Sequence, residues 1–477
     1  MEELFIKDGI IIQNSRLIRK GTLVVKDGMI KDILNQIPAE CSADARIIDA
    51  SGKIVAPGLI NGHTHSYGNF YKTAKDNLPL EEMMIYIMAE GACLKPEDLY
   101  FNAILGAMEM IRNGVTSCLD QLAQKAEGLD AAMKAYEDIG MRVTMAPMYT
   151  DISYYQSIPV NQMLLSEKQR NAPHDNGEEL ININLEFLKK WHTRHNRLRV
   201  GFGPSGPQRS TDEFLSRNMQ LAIENDTVVH THALETRTQK NTAHLMYGET
   251  MIQHMKKLGC LNERMTIAHG VWIAPEDMAL LADMGVTVVH CPACNLYLGS
   301  GIANVNGLRG SGVQIGLGTD GANGGCCQNI HETMKFAGML HRATELDSSK
   351  WPEAEEIFRY ATVNNAKVIG MGKELGTLEK GKRADIVIYN PDLSPALQPL
   401  SDPVMQIAFG EKGQGVETVI VEGTPVLLDR KFTLIDEETM RREIRKHGET
   451  VQERLEKRRA ELDCDVAKLF SVLPRDF

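Results

Sequence analysis

Eight short apolar runs alternate with helix-like stretches through the middle of this 477-residue chain, and this alternation restricts its fold more than any other feature. Most runs are followed by an amphipathic stretch such as PEDLYFNAILGAMEMIRNG. Repeated strand–helix units build a parallel sheet, and eight of them over residues 58–365 predict an α/β fold with a closed (β/α)8 TIM-like barrel. A doubly wound open sheet is the alternative, but no GxGxxG follows an early strand. The predicted strands lie in LINGHTH, VTSCLDQ, RVTMAPMY, RVGFGPS, VVHTHALE, RMTIAHGV, VTVVHCP and VQIGLGTDG.

The two ends of the chain have a different texture. Residues 1–57 show β-branched alternation with DG and SG turns, and the same pattern returns in residues 366–435. We therefore expect a small β-sandwich domain built from both termini, beside a catalytic barrel at 58–365. Residues 436–477 form a predicted C-terminal helical tail, packed by a thin apolar stripe. The segment 153–180 is too long for a simple connection and is interpreted as a lid, an active-site loop or surface decoration.

Charge and cysteine usage limit the partners and the compartment. The net charge of −11 argues against a nucleic-acid partner, which usually requires a basic face. No apolar run approaches the roughly 20 residues of a membrane span, and MEELFIKDG lacks the basic start of a signal peptide. The 9 cysteines are an odd, scattered set typical of a reducing compartment. We expect a cytoplasmic protein without a membrane partner.

Potential metal ligands and proton carriers recur at the ends of the predicted strands. His63 and His65 lie two apart, so both side chains share one face of a strand. Later strand ends offer further candidates, and the carboxyl ends of barrel strands are where catalytic groups gather. One buried histidine is commonplace, but packing alone does not explain this recurrence. The later candidates are His230, His232, Glu235, His269, His290 and Asp320.

Such a cluster is suited to hydrolysis. A divalent metal held by imidazoles lowers the pKa of its water from 15.7 to about 7, which provides hydroxide at neutral pH. A carboxylate near the metal can carry protons if it is not itself a ligand. Asp320, in a tight GTDG turn, is suited to ligation, and Glu235, three residues after His232, is suited to proton transfer.

The motifs PGLINGHTH, HALET, AHG, NLYLGSGIANV and GLGTDGA occur in an order that resembles the amidohydrolase superfamily. The resemblance extends from about Lys7 to Asp429 and is strongest to the aminohydrolase branch. That branch contains S-adenosylhomocysteine/methylthioadenosine deaminases, guanine deaminase and triazine hydrolases. It implies a hydrolase acting on non-peptide C–N bonds of cyclic amidines, with one divalent metal per chain, zinc or alternatively iron.

The resemblance also implies a role for each matching residue. His63, His65, His232 and Asp320 match the metal ligands. Glu235 would pass a proton from the metal's water to a ring nitrogen, and His269 would orient the leaving group and exchange protons with Asp320. Hydroxide then attacks the amino-bearing ring carbon and ammonia leaves. His230 is not at a ligand position and is interpreted as a supporting or packed histidine.

Several positions depart from the nucleoside deaminases of the branch. Ser205 replaces a histidine after the fourth strand, Met83 and Met84 stand where a tryptophan is usual, and Trp272 replaces a second histidine. These departures weigh against a ribonucleoside and favour a planar purine, pterin, pyrimidine or triazine. The predicted substrate contacts are Tyr67, Gln208, Arg209, Trp272 and His290.

Other interpretations remain open at this point. A hydrolase of the same fold could displace chloride, alkylamine or thiol from a heterocycle, although retention of both Glu235 and Asp320 favours deamination. A non-catalytic scaffold is a third class. Cys291 and Cys294 form a lone CxxC and are expected to pack, while Cys326 and Cys327 border the pocket or pack. A homo-oligomer is expected by analogy with the family.

Overall fold

The computed structural model describes residues 3–38, 45–72, 76–158, 163, 165–171, 173–325 and 327–462. Its strands are β1 Glu3–Ile12, β2 Ile18–Lys26, β3 Met29–Leu34, β4 Arg46–Asp49, β5 Ile54–Pro57, β6 Leu59–Thr64, β7 Val115–Leu122, β8 Arg142–Tyr149, β9 Leu198–Val200, β10 Gly203–Pro204, β11 Val229–Ala233, β12 Met265–His269, β13 Thr287–His290, β14 Gln314–Leu317, β15 Ile386–Tyr389, β16 Val416–Val421, β17 Thr424–Leu428 and β18 Lys431–Phe432.

The α-helices are α1 Leu80–Gly91, α2 Pro96–Arg112, α3 Ala126–Ile139, α4 Glu167–Arg170, α5 Gly177–Trp191, α6 Asp212–Glu224, α7 Arg237–Tyr247, α8 Met251–Lys257, α9 Pro275–Asp283, α10 Pro292–Tyr297, α11 Val305–Gly310, α12 Ala322–Gly325, α13 Ile330–Met339, α14 Ala354–Arg359, α15 Asn365–Val368, α16 Pro403–Met405 and α17 Glu437–Leu462. Short 3₁₀ or π turns occupy Ser66–Tyr71, Tyr154–Gln156, Pro207–Arg209, Leu340–Arg342, Ser348–Lys350, Tyr360–Asn364, Pro391–Leu393, Pro395–Leu397 and Gln406–Gly410.

The middle of the chain forms two parallel sheets with helices between successive strands, which confirms the predicted α/β class. One sheet has the order β10-β8-β7-β6 with β9 also on β8, and the other has the order β11-β12-β13-β14. Each of the eight predicted runs contains at least one of these strands. Because every pair in the two sheets is parallel, the carboxyl ends of neighbouring strands lie at a common edge.

Backbone hydrogen bonds join the two parallel sheets at both of their borders. The N–H of His230 donates to the carbonyl of Phe202 at 2.9 Å, which connects β11 to the end of the first sheet. At the other border, the N–H of Asp320 after β14 donates to the carbonyl of His63 in β6 at 3.0 Å. These bonds bring the first and last strands of the series together.

Strands from both ends of the chain share a third, nine-stranded sheet. Its order is β18-β17-β16-β15-β5-β1-β2-β3, with β4 paired to β1. The junction is the antiparallel pair of β15 and β5, in which Ile386 lies opposite Pro57 and Tyr389 opposite Ile54. Strands from the two end segments of the chain thus pair directly. The division of the chain into domains and the β-sandwich arrangement remain predictions.

A buried ionic cluster links this third sheet to the amino-terminal end of β8. The guanidinium of Arg142, wholly buried, donates to both carboxylate oxygens of Asp385 at 2.8 Å. It also donates to Glu422 at 2.6 Å, and the N–H of Glu422 donates to Asp385 at 2.9 Å. Every charged group in this cluster therefore has a partner.

The C-terminal helix α17 packs against the elements that lead into the first parallel strands. Val451 and Leu455 are its buried apolar residues. His447 Nδ1 lies 3.1 Å from Asp98 Oδ1 on α2, and Gln452 donates to the carbonyl of Phe70 at 2.5 Å. The predicted tail is thus helical from Glu437 to Leu462, and residues 463–477 lie outside the described part of the chain.

Candidate functional site

The carboxyl ends of three parallel strands, β6, β11 and β14, bring the sequence-predicted ligands together. His63 and His65 come from the end of β6 and the residue after it, while His232 comes from β11. The Nε2 atoms of His65 and His232 lie 3.1 Å apart. Asp320 Oδ1 lies 3.3 Å from His65 Nε2 and 3.4 Å from His63 Nε2. These four side chains converge on one point.

Backbone carbonyls fix the tautomers of two of these histidines. His65 Nδ1 lies 2.5 Å from the carbonyl of Gln121, and His232 Nδ1 lies 2.7 Å from the carbonyl of Ser205. Because a carbonyl only accepts, both Nδ1 atoms carry the hydrogen. In the neutral rings, the two Nε2 lone pairs then face each other across 3.1 Å. Two facing lone pairs repel unless a cation lies between them.

A hydrogen-bonded chain behind His63 orients its ring in the same way. Thr266 donates its hydroxyl to the carbonyl of Val229 at 3.1 Å, so its oxygen accepts from His230 Nδ1 at 2.6 Å. His230 Nε2 then accepts from His63 Nδ1 at 2.8 Å. His63 Nε2 is buried and has no hydrogen-bond partner among the described residues. His230 therefore supports His63 from behind.

Burial lowers the pKa of His63 and of His232, which favours their neutral forms. It lowers the pKa of His63 to about 4, despite the nearby Asp320 carboxylate. Burial and the neighbouring histidines hold the pKa of His232 well below its usual range. Burial alone would raise the pKa of Asp320, but its hydrogen bond with His63 and its electrostatic interactions with the surrounding imidazoles hold it well below the usual range. Neutral imidazoles and an ionised carboxylate are the protonation states that bind a metal.

The donor set fits a divalent metal ion. The ligand atoms of His63, His65 and His232 lie within 4.8 Å of one another, and so do those of His63, His269 and Asp320. Imidazole nitrogens with one carboxylate oxygen are a usual set for a catalytic metal that retains an open position. The unpartnered His63 Nε2 is a buried polar atom that a metal would satisfy.

The backbone is strained where two of these side chains leave their strands. His269 has φ +71° and Asp320 has φ +64°, in the left-handed region that non-glycine residues seldom adopt. Each such residue costs about 1–3 kcal/mol, and strain of this kind collects at functional sites. In both cases the turn directs a polar side chain toward the cluster.

Glu235 and His269 lie beside each other at the edge of this cluster. His269 Nε2 lies 3.6 Å from Glu235 Oε2 and 3.8 Å from Asp320 Oδ2. Its Nδ1 lies 3.0 Å from the side-chain oxygen of Asn295, which holds the ring. Burial, together with the charges of Asp320 and Glu81, raises the pKa of Glu235 well above its usual range. A raised pKa makes a carboxyl better suited to hold and donate a proton.

The cluster opens into a cavity of about 90 Å³. Its walls include Tyr67, Ser205, Gln208 and Arg209, together with Glu235 and the ligands other than His63. Tyr154 and Ile158 also line it, so the long 153–180 segment contributes to the wall. A second cavity of about 720 Å³ adjoins the first and is lined by residues of α1, β8 and α5 together with residues 123–127, and its wall includes the acids Glu127 and Asp175.

Two of the predicted substrate contacts lie away from this cavity. Trp272 donates its indole N–H to the carbonyl of Ser300 at 2.8 Å, and Arg237 lies over its ring at 4.5 Å. His290 is buried beside His341, with ring centroids 5.3 Å apart. Neither is among the residues that line the cavity in the described chain. Tyr67, Gln208 and Arg209 are all brought to its wall.

Two site residues gave no usable signal in the sequence. Glu81 is buried in the cavity wall, where its carboxylate accepts from Thr236 at 2.5 Å. In sequence it appears as one of two acids in the first turn of α1, an ordinary position for a helix. Asn295, which holds His269, lies in a short helix 26 residues further along the chain.

The cysteines near the site do not form a second metal centre among the described residues. Cys291 is buried at the end of β13, and Cys294 is buried with its side chain in the cavity wall. Cys327 Sγ lies 2.9 Å from Glu332, and Cys326 lies outside the described residues.

The family model for the amidohydrolase family matches residues 54–426. The chain belongs to the amidohydrolase family. It is accordingly a hydrolase acting on carbon–nitrogen bonds, as the resemblance implied. The chain is 30% identical over 460 residues to a 5'-deoxyadenosine deaminase of Methanosarcina mazei, covering 95% of this chain and 100% of that protein.

A second relative belongs to the same branch of this amidohydrolase's family. It is the 5-methylthioadenosine/S-adenosylhomocysteine deaminase of Acetivibrio thermocellus, 30% identical over 429 residues, with 89% of this chain and 93% of that protein covered. Among solved structures, an adenosine deaminase from Xanthomonas campestris with bound zinc has the same fold. Its TM-score is 0.83 at 24% identity, covering 94% of this chain and 98% of that one.

No helix in the described ranges of this amidohydrolase combines the length and the apolar character that a membrane crossing requires.

Proposed function

We propose that this amidohydrolase is a metal-dependent deaminase that replaces the amino group of a nitrogen heterocycle with oxygen and releases ammonia. The observation that carries the proposal is the convergence of three imidazoles and one carboxylate beside the buried Glu235, whose pKa burial raises well above its usual range. The relatives in M. mazei and A. thermocellus are named for deamination of adenosine derivatives. An adenine-type purine is therefore the first ring to test, ahead of pterins, pyrimidines and triazines.

His63, His65, His232 and Asp320 would hold one divalent metal. Three nitrogens and a carboxylate oxygen favour zinc, and iron is the alternative. When bound, such an ion supplies a water molecule whose pKa has fallen from 15.7 to about 7. The tautomers set by Gln121, Ser205 and His230 direct the ligand lone pairs to the site before any ion arrives.

Glu235 would deliver a proton to the ring nitrogen next to the amino-bearing carbon. Protonation at that nitrogen makes the carbon more electrophilic, so that water can add to it. The leaving amine must itself gain a proton before it departs as ammonia. His269 faces both Glu235 and Asp320 and is placed to pass that proton. The overall reaction consumes one water and releases one ammonia for each amino group.

The substrate ring would lie in the cavity beside these groups. Tyr67 and Gln208 line it, and the buried side-chain oxygen of Gln208 has no hydrogen-bond partner among the described residues. That oxygen can accept from a ring or exocyclic N–H. The predicted contacts of Trp272 and His290 would require a substrate that reaches beyond the cavity, and we do not include them in the proposed binding site.

Ammonia release from a compound panel tests the proposal. Metal-loaded protein would be incubated with 5'-deoxyadenosine, 5'-methylthioadenosine, adenine, guanine, a pterin, cytosine and an aminotriazine. We expect ammonia and the matching oxo product from at least one purine derivative. Chloride, alkylamine or thiol released from substituted heterocycles in place of ammonia would favour the displacement reaction. No product from any compound, with stoichiometric metal bound, would contradict both.

The remaining features of the proposal concern architecture and setting. We propose that the parallel strands close into one (β/α)8 barrel at 58–365, supported by the hydrogen bonds at both borders of the two sheets. Residues 1–57 and 366–435 would form the β-sandwich domain and 436–477 the helical tail. The free cysteines of the described residues support a reducing, cytoplasmic setting. A homo-oligomer is the proposed assembly, testable by light scattering.

A further inference from the structure

Arg209 is a cation in the cavity wall without a carboxylate partner among the described residues. Its Nη1 donates to the hydroxyl of Ser205 at 3.3 Å, and its guanidinium lies over the ring of Tyr154 at 5.2 Å. Its Nε is buried and has no hydrogen-bond partner in the described chain. A buried N–H of this kind is costly unless an acceptor satisfies it.

The acids that line the smaller cavity have contacts other than Arg209. Glu81 accepts from Thr236, Glu235 faces His269, and Asp320 faces His63 and His65. Residues 159–162, which follow Ile158 in the cavity wall and lie outside the described chain, are PVNQ and contain no acid. Among the described residues, Arg209 thus contacts a hydroxyl and an aromatic face but forms no ion pair, although Glu127 and Asp175 line the larger cavity.

Arg209 also lies where the two cavities meet. Together with Tyr67, Met148 and Ser205 it lines both the cavity at the metal ligands and the larger cavity beside it. A group that contacts Arg209 would be carried by the distal edge of a bound ring or by the start of its substituent. The guanidinium fork suits an oxygen with two lone pairs, such as a lactam oxo group or a carboxylate.

We propose that Arg209 determines specificity by binding an anionic or carbonyl oxygen of the substrate. This inference rests on the proposed deaminase function and narrows its substrate class to amino-heterocycles that carry such an oxygen. The oxygen has two possible sources, an oxo group on the ring or a carboxylate on a substituent that extends into the larger cavity. Both present the same acceptor to the same guanidinium.

Two matched substrate pairs separate these sources. Adenine and 8-oxoadenine share the reacting amino group and differ in the ring oxo group. 5'-Methylthioadenosine and S-adenosylhomocysteine share the ring and the thioether and differ in the terminal amino acid. We expect the wild-type protein to favour the oxygen-bearing member of one pair by about 10–100-fold in kcat/KM, as for one charge-assisted hydrogen bond. The pair in which this preference is observed shows whether the oxygen bound by Arg209 is a ring oxo group or a substituent carboxylate.

Arg209→Gln should abolish that preference, mainly by raising KM for the oxygen-bearing member. Arg209→Lys keeps the charge without the fork and should retain part of it. Arg199→Gln is the matched control, because Arg199 is similarly part-buried with an unpartnered Nε but lies outside both cavities. It should leave the preference unchanged. Circular dichroism and the melting temperature would establish that each variant is folded.

An equal loss of kcat/KM on both members of each pair in Arg209→Gln would overturn the inference, as would a wild-type protein without preference in either pair. Those outcomes leave the deaminase function intact as long as ammonia is released. If neither pair is deaminated, the deaminase proposal fails for these rings. Isothermal titration calorimetry with the same four compounds then tests the role of Arg209. We expect wild type to bind the oxygen-bearing member of one pair about 10–100-fold more tightly than the other member, and Arg209→Gln to lose this difference.

Discussion

The two ends of the parallel strands each bury a polar cluster, and the clusters differ in how completely their groups are paired. At the amino-terminal end of β8, Arg142 is held by Asp385 and Glu422, and each charge has its partner. At the carboxyl ends, the imidazoles of His63, His65 and His232 direct lone pairs at one another. We call these the closed cluster and the open cluster.

This difference in pairing distinguishes a cluster that stabilises the fold from a cluster that is suited to binding a ligand. The closed cluster fastens the third sheet to a parallel strand and has no unmet hydrogen-bonding capacity in its charged groups. The open cluster bears strained backbone at His269 and Asp320, together with neutral histidines that have lost their usual basicity. Such energetic costs are expected to persist only where the binding of a ligand compensates for them. Substitutions in the two clusters should therefore have opposite effects on activity and stability.

The largest expected effect is on activity, from loss of a ligand in the open cluster. His232→Asn should reduce bound metal from one per chain to a small fraction and bring activity to background, because one lone pair of the convergent set is removed. Metal analysis after dialysis, with turnover measured in parallel, checks this. Full metal content and turnover in the variant would exclude His232 as a ligand.

Glu235→Gln separates proton transfer from metal binding in the same cluster. The amide cannot exchange the proton, so kcat should fall by about 10²–10⁴-fold, the range for general acid–base catalysis. Metal content should stay at the wild-type value because Glu235 is not among the convergent ligands. Undiminished turnover would refute the proton-transfer role, and loss of metal would make Glu235 a ligand.

The closed cluster should show the reverse pattern. Arg142→Met leaves Asp385 buried without a cation, while Glu422 keeps its ion pair with Arg383, so the free energy of unfolding should fall by about 3–5 kcal/mol. Urea denaturation measures the change, and kcat of the folded fraction should remain near wild type. Arg441→Gln is the control, since its exposed pair with Glu437 should contribute below about 1 kcal/mol. Equal destabilisation by Arg142→Met and Arg441→Gln would contradict the stabilising role of the closed cluster.

The smallest expected effect comes from the residue behind the open cluster. His230→Gln removes the ring that fixes the tautomer of His63, so metal affinity should fall by about 10–100-fold. At saturating metal, kcat should recover most of its wild-type value, because the ligands themselves are intact. Competition with a chromophoric chelator measures the affinity. Unchanged affinity would mean that His230 only packs.

The sequence predicted the order of parallel strands and the set of polar residues at their ends. His63 and His65 were recognisable because period two places both on one face of a strand, and HALET and GTDG recur at later strand ends. The alternation of β-branched residues predicted strands at both ends of the chain, where the nine-stranded sheet is found. The junction of β15 with β5 could not be predicted from either segment separately.

The orientation of individual side chains could not be predicted from the sequence. The pairing of His230 with Thr266 depends on strand register, which places the two residues side by side on β11 and β12. The left-handed turn at His269 and Gly270 carries Trp272 away from the cavity, to the carbonyl of Ser300. Glu81 enters the cavity from helix α1, whose approach to the strands no local pattern specifies.

The most direct test of the central claim is a joint measurement of metal content, ammonia and oxo product on 5'-deoxyadenosine and the other panel compounds. We predict that protein with one divalent metal per chain releases one ammonia for each oxo heterocycle formed, and that chelation stops both until metal is restored. Protein that holds one metal in the open cluster and releases no ammonia from any aminated heterocycle would contradict the account.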